Sequence, residues 1–243
     1  MAAEWSEQSR SGQLIFEPEN VPNGLRVAFS GRGIAPAHEP SPTSYLARRF
    51  ADALELDGTP IVRATQVHGK TVSIVRERPA ARVSDAGACD VLATSLPGVA
   101  VAVQTADCVS ILLAGENGVA AAHAGWRGTA QETASAAVEA LRALGDRPET
   151  VRAWLGPSIG ACCYEVGADV SDRFSGEFLR PGAEGRFFLD LAAANRAQLV
   201  ASGVSSAAIQ IHPGCTRCGG DRFASYRRDG AEAGRMIALI VRH

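Results

Sequence analysis

The chain has 243 residues, of which 46% are hydrophobic and 21% are charged, and its formal net charge is −2. This profile is typical of a soluble globular protein with one large domain or two small ones, and the near-balanced charge gives no electrostatic signal for binding nucleic acid or an anionic membrane. The first dozen residues are polar, and no apolar run approaches the roughly 20 residues that span a bilayer. We therefore predict a cytoplasmic protein whose six cysteines stay reduced.

The predicted elements begin after a polar tail of residues 1–24. The stretch LRVAFSGRG (25–33) alternates like a strand and breaks at its glycines, and a proline-rich loop follows. Leucine and phenylalanine at helical spacing predict a helix in SYLARRFADALEL (44–56). The next segment, PIVRATQVHGKTVSIVR (60–76), contains two strand-like runs hinged at His68.

Three further strand-like runs lie between residues 98 and 123, and a helical pattern follows Arg127. Thr129 and Glu132 have the T-x-x-E spacing of a capping box at the start of that helix. A later helix is predicted in LDLAAANRAQLVASG, with Asp190 as its N-cap, and strands in TVRAWL, AIQIH and GRMIALIVR. The mixture predicts one α/β domain with mixed sheets over residues 25–243, and no glycine pattern of a dinucleotide or Walker-type site is present.

Three residues that could carry chemistry follow or end predicted strands: His68, Cys108 and His123. Two histidines and a thiolate are suitable ligands for zinc, and three protein ligands leave a fourth position open. Two other interpretations remain. Cys108 could be a buried core residue beside unrelated histidines, or it could be a nucleophile with His123 as its base. The spacing forms no short metal motif and does not decide between them.

Arginines in glycine-rich surroundings are candidates for binding an anion. Arg127, in HAGWRG, precedes the predicted helix, where backbone N–H groups and a guanidinium could hold phosphate. Arg32 in SGRG and the pair Arg227 and Arg228 in SYRRDG have similar surroundings. Each is equally compatible with a solvated turn. Trp126 could stack on a planar ring or simply pack in the core.

The sequence CTRCGG has the C-x-x-C spacing of a zinc knuckle through Cys215 and Cys218. A structural zinc site normally needs four ligands. The only candidates for the others are His212 and the pair Cys162 and Cys163, which is distant in sequence. The spacing therefore favours an ordinary loop over a structural zinc site.

Five motifs together resemble the YfiH/YlmD-type family, also called the laccase-domain or multicopper polyphenol oxidase family. They are TQVHG, TADCVSILL, HAGWRGT, GPSIGACCYEVG and CTRCGGDRFASYRRDGAEAGRM, in that order, and the resemblance covers about residue 25 to the C-terminus. It implies a single-domain layered α/β/β/α sandwich with mixed sheets. It also implies that His68, Cys108 and His123 bind a metal, zinc or alternatively copper. FSGRG departs from the F-S-T-R usual in the family, although Arg32 aligns with the family arginine.

The resemblance further implies phosphorolysis of adenosine, inosine and S-methyl-5′-thioadenosine to free base and (methylthio)ribose 1-phosphate, together with adenosine deamination. Purine nucleosides and phosphate are then the partners, with Arg32, Arg127 and Arg228 as phosphate candidates. Zinc can activate water for deamination. No H-x-E signature is present, so Asp107, beside the thiolate ligand, is the candidate proton carrier.

Three other functions compete with this one. The family's older assignment is copper-dependent oxidation of polyphenols, but a multi-site oxidase needs several clustered histidines and the chain has five in all. Cys108 and His123 could form a thiol hydrolase acting on peptidoglycan precursors. The chain could also be a non-enzymatic nucleotide-binding or partner-binding module that keeps the zinc for structure.

Overall fold

The computed structural model describes residues 5–35 and 39–243 and consists of strands, short helices and tight turns. In chain order the strands are Trp5–Arg10 (β1), Gln13–Pro18 (β2), Leu25–Ser30 (β3), Ile61–Thr65 (β4), Val72–Val75 (β5), Val83–Ala88 (β6), Val91–Thr94 (β7), Ala100–Thr105 (β8), Val109–Ala114 (β9), Val119–Ala124 (β10), Arg152–Leu155 (β11), Glu165–Val166 (β12), Leu179–Pro181 (β13), Phe187–Leu189 (β14), Ile209–Ile211 (β15) and Met236–Arg242 (β16). The helices are Pro42–Ala53 (α1), Trp126–Ala130 (α2), Thr133–Arg142 (α3), Ala168–Ser171 (α4), Leu191–Ala201 (α5) and Tyr226–Asp229 (α6). In this described part of the chain, no helix has the length and apolar character needed to cross a bilayer.

The strands form two large sheets and one small one. The seven-stranded sheet has the order β1-β2-β3-β16-β8-β4-β6, the six-stranded sheet has the order β15-β11-β9-β10-β7-β5, and β12-β14-β13 form the third. Both large sheets combine parallel and antiparallel pairs, such as parallel β4 and β8 beside antiparallel β16 and β8. The predicted single α/β domain with mixed sheets is therefore confirmed.

Alternation along the central strands produces the layers, because successive strand side chains point to opposite faces. In β9, Ile111 and Leu113 pack in a cluster with residues of α3 and α5. Leu112, between them, packs in the core that separates the two large sheets. In β8, alanines pack toward α1 while Val101 and Val103 face the inter-sheet core. Helices thus cover both outer faces of two stacked sheets, the predicted α/β/β/α order.

Between β4 and β9 the chain winds back and forth from one large sheet to the other. β4, β6 and β8 lie in the seven-stranded sheet, and β5, β7 and β9 lie in the six-stranded sheet. β4 is parallel to β6 and β8, so the connections that leave the seven-stranded sheet for the six-stranded sheet all lie at one end of the sandwich. We call these connections the outward crossings. Those crossings are the segments 66–71, 89–90 and 106–108, and the returns (76–82 and 95–99) lie at the opposite end. The winding brings residues about twenty positions apart to one place.

Residues 5–24, the described part of the predicted polar tail, do not form a tail. β1 and β2 make an antiparallel hairpin that extends the seven-stranded sheet through β3. Ile15 and Phe16 are fully buried, and the Trp5 ring packs edge-on against Phe29 at 5.5 Å. β1 is an edge strand of mostly polar residues, and its weak hydrophobic pattern gave no indication of a strand in the sequence. Among the described residues, the domain begins at Trp5.

The predicted capping box is also wrong. A helix begins earlier, at Trp126, and ends at Ala130, and a second one starts at Thr133. Glu132 lies between them in a left-handed conformation (φ 67°), so it cannot continue a helix. The Thr129 hydroxyl instead accepts a hydrogen bond from the Asn195 side chain at 2.9 Å. By contrast, Asp190 is the N-cap of α5 as predicted, since its carboxylate accepts the Ala193 N–H.

Candidate metal centre and pocket

His68, Cys108 and His123 come together at the end of the sandwich where the chain crosses outward between the sheets. His68 lies in the crossing from β4 to β5, Cys108 ends the crossing from β8 to β9, and His123 is near the end of β10. β9 and β10 are antiparallel with His123 opposite Ser110, which places Cys108 beside the same strand end. The three ligand atoms lie within 4.8 Å of one another. The predicted convergence of these residues is confirmed.

A buried carboxylate, Asp90, holds two of the three side chains in place. It lies in the second outward crossing, from β6 to β7, and is fully buried. One of its oxygens is 2.8 Å from His123 Nδ1. A carboxylate on one imidazole nitrogen fixes the ring and leaves Nε2 as the ligand atom, an arrangement common around bound metals. Sequence reasoning missed Asp90 because it stands alone between a cysteine and a strand.

Asp90 also fixes the turn that carries His68. The carboxylate accepts N–H groups from Val67 at 3.2 Å, His68 at 3.0 Å and Gly69 at 2.7 Å. His68 has φ 61°, a left-handed conformation that is unfavourable for a residue with a Cβ. The three hydrogen bonds to one buried charge offset that cost. Asp90 thereby links His68 and His123.

The electrostatics of the cluster stabilise charged forms despite burial. Burial by itself would raise the pKa of Cys108, but hydrogen bonds with His123 and His68 and their charges lower that pKa to about 7. Burial would lower the pKa of His123, but the bonds with Asp90 and Cys108 raise it to about 9. Burial opposes ionisation of Asp90 as well, yet the bond with His123 and backbone N–H groups hold its pKa below the usual range. The cluster is thus built to hold a thiolate.

These residues fit a bound metal. Two imidazoles and a thiolate-prone cysteine are a recognised three-ligand set for zinc. Gly125 leaves room for this arrangement, because a Cβ there would lie 2.8 Å from Cys108 Sγ and 3.3 Å from the His68 ring. At nearby Gly128, a Cβ would lie 2.7 Å from Thr133 Oγ1, so this position also requires glycine. The glycines of HAGWRG therefore serve close packing around the ligands.

A pocket of about 530 Å³ opens beside the three ligands. That volume is within the usual range for small-molecule sites, about 300–1,000 Å³. Arg127, predicted to bind phosphate, lines it and lies over the Trp126 ring at 4.4 Å from the centroid. The lining residues that sequence reasoning did not assign to the site are Gln66, Gln104, Thr105, Ala106, Gly125, Tyr164, Tyr226 and Arg235. Arg227, one of the candidate pair in SYRRDG, lines the pocket as well. The pocket thus combines candidate metal ligands, aromatic rings and three arginines.

Arg32 and Arg228 are engaged elsewhere, which argues against their predicted phosphate role. The Arg32 guanidinium is 3.2 Å from Asp221 and 3.6 Å from Asp229, and it donates to the Glu232 carbonyl. Arg228 forms a two-bond pair with Asp229. Its other N–H groups donate to the carbonyls of Thr216, Gly220 and Phe223. Arg228 therefore braces the loop before α6, and its neighbour Arg227 is the residue that lines the pocket.

Asp107 lines the pocket, but both of its oxygens are occupied. Oδ1 accepts the Thr216 hydroxyl at 2.5 Å and Oδ2 accepts the Arg227 backbone N–H at 2.6 Å. Its backbone also has a positive φ of 85°, directly before Cys108. These contacts give Asp107 a positioning role for Arg227 and Cys108. Its predicted role as a proton carrier stays a prediction.

A family model described as multi-copper polyphenol oxidoreductase laccase matches residues 39–243. The chain belongs to this family. Its similarity to relatives extends beyond the motifs. It is 41% identical over 209 residues to a protein from Deinococcus radiodurans named purine nucleoside phosphorylase, a match that covers 83% of this chain and 78% of that protein.

A second relative carries a different activity name, and a solved structure shares the fold of this laccase-family chain. It is 36% identical over 233 residues to a protein from an unknown prokaryotic organism named adenosine deaminase RL5, with 89% of each covered. The crystal structure of YlmD from Geobacillus stearothermophilus superposes with a TM-score of 0.86 at 29% identity, covering 99% of both chains. The predicted resemblance to the YfiH/YlmD-type family and its layered fold are confirmed.

A Gly125→Ala substitution tests the packing around the ligands. The new methyl group would press on Cys108 Sγ, so we expect metal affinity to fall about tenfold or more, within the range seen when the surroundings of metal ligands are disturbed. The backbone at Gly125 (φ −74°) accepts alanine without strain. Gly176→Ala is the matched control, since no atom lies within 4 Å of its Cβ position. Metal titration of both variants checks this, and equal affinities would refute the close contact.

Proposed function

We propose that this chain is a metal-dependent purine nucleoside phosphorylase that also deaminates adenosine. Zinc is the proposed metal, held by His68, Cys108 and His123, and adenosine, inosine and S-methyl-5′-thioadenosine are the proposed nucleosides. The observation that carries the proposal is the presence, in one pocket, of the three ligands and of Arg127, Arg227 and Arg235. Relatives named purine nucleoside phosphorylase and adenosine deaminase support it.

The arginines provide the binding groups for phosphate, the anionic co-substrate. Phosphorolysis requires inorganic phosphate beside C1′ of the ribose, and guanidinium groups bind phosphate through charge-assisted hydrogen bonds. Arg227 is held by its backbone N–H to Asp107 and by donation from its guanidinium to the Glu165 carbonyl at 2.9 Å. Arg127 approaches from α2. Phosphate bound between them would also be close to the metal ligands.

The aromatic residues provide stacking surfaces for the purine base of the nucleoside. Trp126, Tyr164 and Tyr226 line the same pocket, and their rings can stack on a purine. Tyr226 is 61% exposed, which places it at the rim, where the base would enter. A metal bound by the three ligands would supply Lewis acidity at one wall of the pocket. The protein's part is to position phosphate, sugar and base against that wall.

Phosphate dependence is the test that separates the proposed activities. Purified protein is incubated with adenosine or inosine, with and without inorganic phosphate, and free base, ribose 1-phosphate and ammonia are quantified. We expect base and ribose 1-phosphate only with phosphate, and ammonia from adenosine without it. Base release that is independent of phosphate would refute phosphorolysis. Oxygen uptake with a phenolic substrate and no nucleoside turnover would favour the oxidase instead.

Arginine variants extend the same assay. Charge-assisted hydrogen bonds to an anion contribute roughly 1.5–3 kcal/mol each, which is about one to two decades of affinity. We therefore expect Arg127→Ala and Arg227→Ala each to raise the KM for phosphate about 10- to 100-fold with metal content unchanged. Arg186→Ala, an exposed arginine away from the pocket lining, is the control and should leave the KM unchanged. An unaltered phosphate KM in both pocket variants would remove these arginines from the site.

A further inference from the structure

A second group of metal-ligand side chains lies in the loops behind the pocket. Cys162 and Cys163 lie in the loop between β11 and β12, and Cys215 and Cys218 lie in the loop after β15. The sequence makes the two pairs distant, but the fold brings all four sulfur atoms within 4.8 Å of one another. Cys162 and Cys163, which the sequence places far from CTRCGG, therefore lie within ligand distance of it.

The distances between the sulfur atoms suit a shared ion better than a disulfide. Cys218 Sγ is 3.1 Å from Cys163 Sγ and 3.5 Å from Cys162 Sγ. Tetrahedral zinc with Zn–S bonds of about 2.3 Å holds its sulfurs about 3.8 Å apart. A disulfide bond is about 2.05 Å long and would join only two of the four. One ion at the centre would use every sulfur.

A backbone donor favours the thiolate form of Cys215. The Gly160 N–H donates to Cys215 Sγ at 3.3 Å. Four thiolates around a divalent ion leave an excess of negative charge. Arg217 lies within the C-x-x-C itself, and Arg180 donates to the Ala161 carbonyl beside Cys162 at 3.4 Å. One positive side chain, that of Arg180, thus lies near the cluster.

We propose that Cys162, Cys163, Cys215 and Cys218 bind a structural zinc ion, separate from the metal at His68, Cys108 and His123. Each thiol would release its proton on binding, with no change of oxidation state. Four protein ligands close the coordination sphere, so this ion would have no open position for a substrate. The site does not depend on the proposed nucleoside chemistry.

The ion would join two loops that build one wall of the pocket. Ser158 and Cys215 already pair as an isolated β-bridge, and the Thr216 N–H donates to the Ser158 carbonyl at 3.0 Å. Thr216 in turn holds Asp107. Cys163 is followed by Tyr164, which lines the pocket. A metal at the four cysteines would therefore support the residues that position Tyr164 and Asp107.

Metal counting on the full-length protein tests the proposal. Native mass spectrometry and elemental analysis of the purified chain, loaded with zinc, should give about two ions per chain. The double variant Cys162→Ser/Cys218→Ser changes two exposed residues and should lose one ion while keeping the other. His68→Ala should lose the other ion and keep the one at the four cysteines. Cys89→Ala, a cysteine in neither cluster, is the control and should keep both.

A second measurement avoids dependence on how the variants fold. In the wild-type protein, zinc should slow alkylation of all four cysteines, and a strong chelator should restore it, as read by peptide mass mapping. The proposal is overturned if the double variant binds as many ions as the wild type. It is equally overturned if the four thiols alkylate at the same rate with and without zinc, or if they are isolated as disulfides after purification under reducing conditions. None of these readouts uses nucleoside turnover, so failure here and failure of the proposed activity can be told apart.

Discussion

Cys108→Ala should lose the metal at His68 and His123 and reduce nucleoside turnover by more than about 100-fold, because disturbing even a partner of a metal ligand costs about 10- to 100-fold. Cys108→Asp should keep weakened metal binding and some turnover. A carboxylate can still bind zinc, but it cannot form a thioester. Metal content and turnover of both variants, measured on the same preparations, check this result.

The same residue distinguishes metal chemistry from a thiol hydrolase. As a ligand, Cys108 should alkylate slowly while the metal is bound and faster after chelation, because the metal occupies the thiolate. As a nucleophile it would alkylate equally in both states. A chelator that leaves turnover intact, together with a covalent substrate adduct on Cys108, would overturn the metal mechanism.

Asp90→Ala should give the largest loss of stability. It would leave a buried His123 and the N–H groups of Val67, His68 and Gly69 without their partner. Removing one member of a buried charged pair costs about 3–5 kcal/mol, so we expect the free energy of unfolding to fall by that order. Metal affinity should fall about 10- to 100-fold as well. Denaturant unfolding and metal titration give the two values.

Asp146 provides a matched control for Asp90. It is also a buried carboxylate that accepts two backbone N–H groups, those of Asn117 and Gly118, but it contacts no metal ligand. Asp146→Ala should therefore lower stability while leaving metal affinity unchanged. Metal affinity that falls equally in both variants would mean that Asp90 acts only through general stability.

The candidate ligands could be found from the sequence, but their supporting partners could not. His68, Cys108 and His123 stand at strand boundaries in motifs that resemble a family. Asp90 has no motif, and its importance arises only when the winding between the sheets brings it between two histidines. Because each turn of that winding takes about twenty residues, the four positions form no short spacing pattern. The general fold class is easier to predict, because the strands β8 and β9 can be recognised from their own short stretches of sequence.

The arginines show why assignment by motif can miss by one residue. Arg227 and Arg228 are neighbours in SYRRDG, yet they lie on one short helical turn and point to different surroundings. Arg228 binds loop carbonyls and Asp229, whereas Arg227 lines the pocket. Neither orientation is encoded in the pair itself. Similarly, the four cysteines become one cluster only because the loops after β11 and β15 meet.

The winding of the chain between the large sheets also sets where this protein can change in length. Segments 66–71, 89–90 and 106–108 each carry a ligand or the carboxylate that orients ligands, so an added or deleted residue there would displace a side chain of the metal centre. The return connections at 76–82 and 95–99 lie at the opposite end and carry none of these residues. Natural insertions, inserted labels and fused domains should therefore be accommodated at the return end, which leaves the ligand end as the part of the sandwich with a fixed loop geometry.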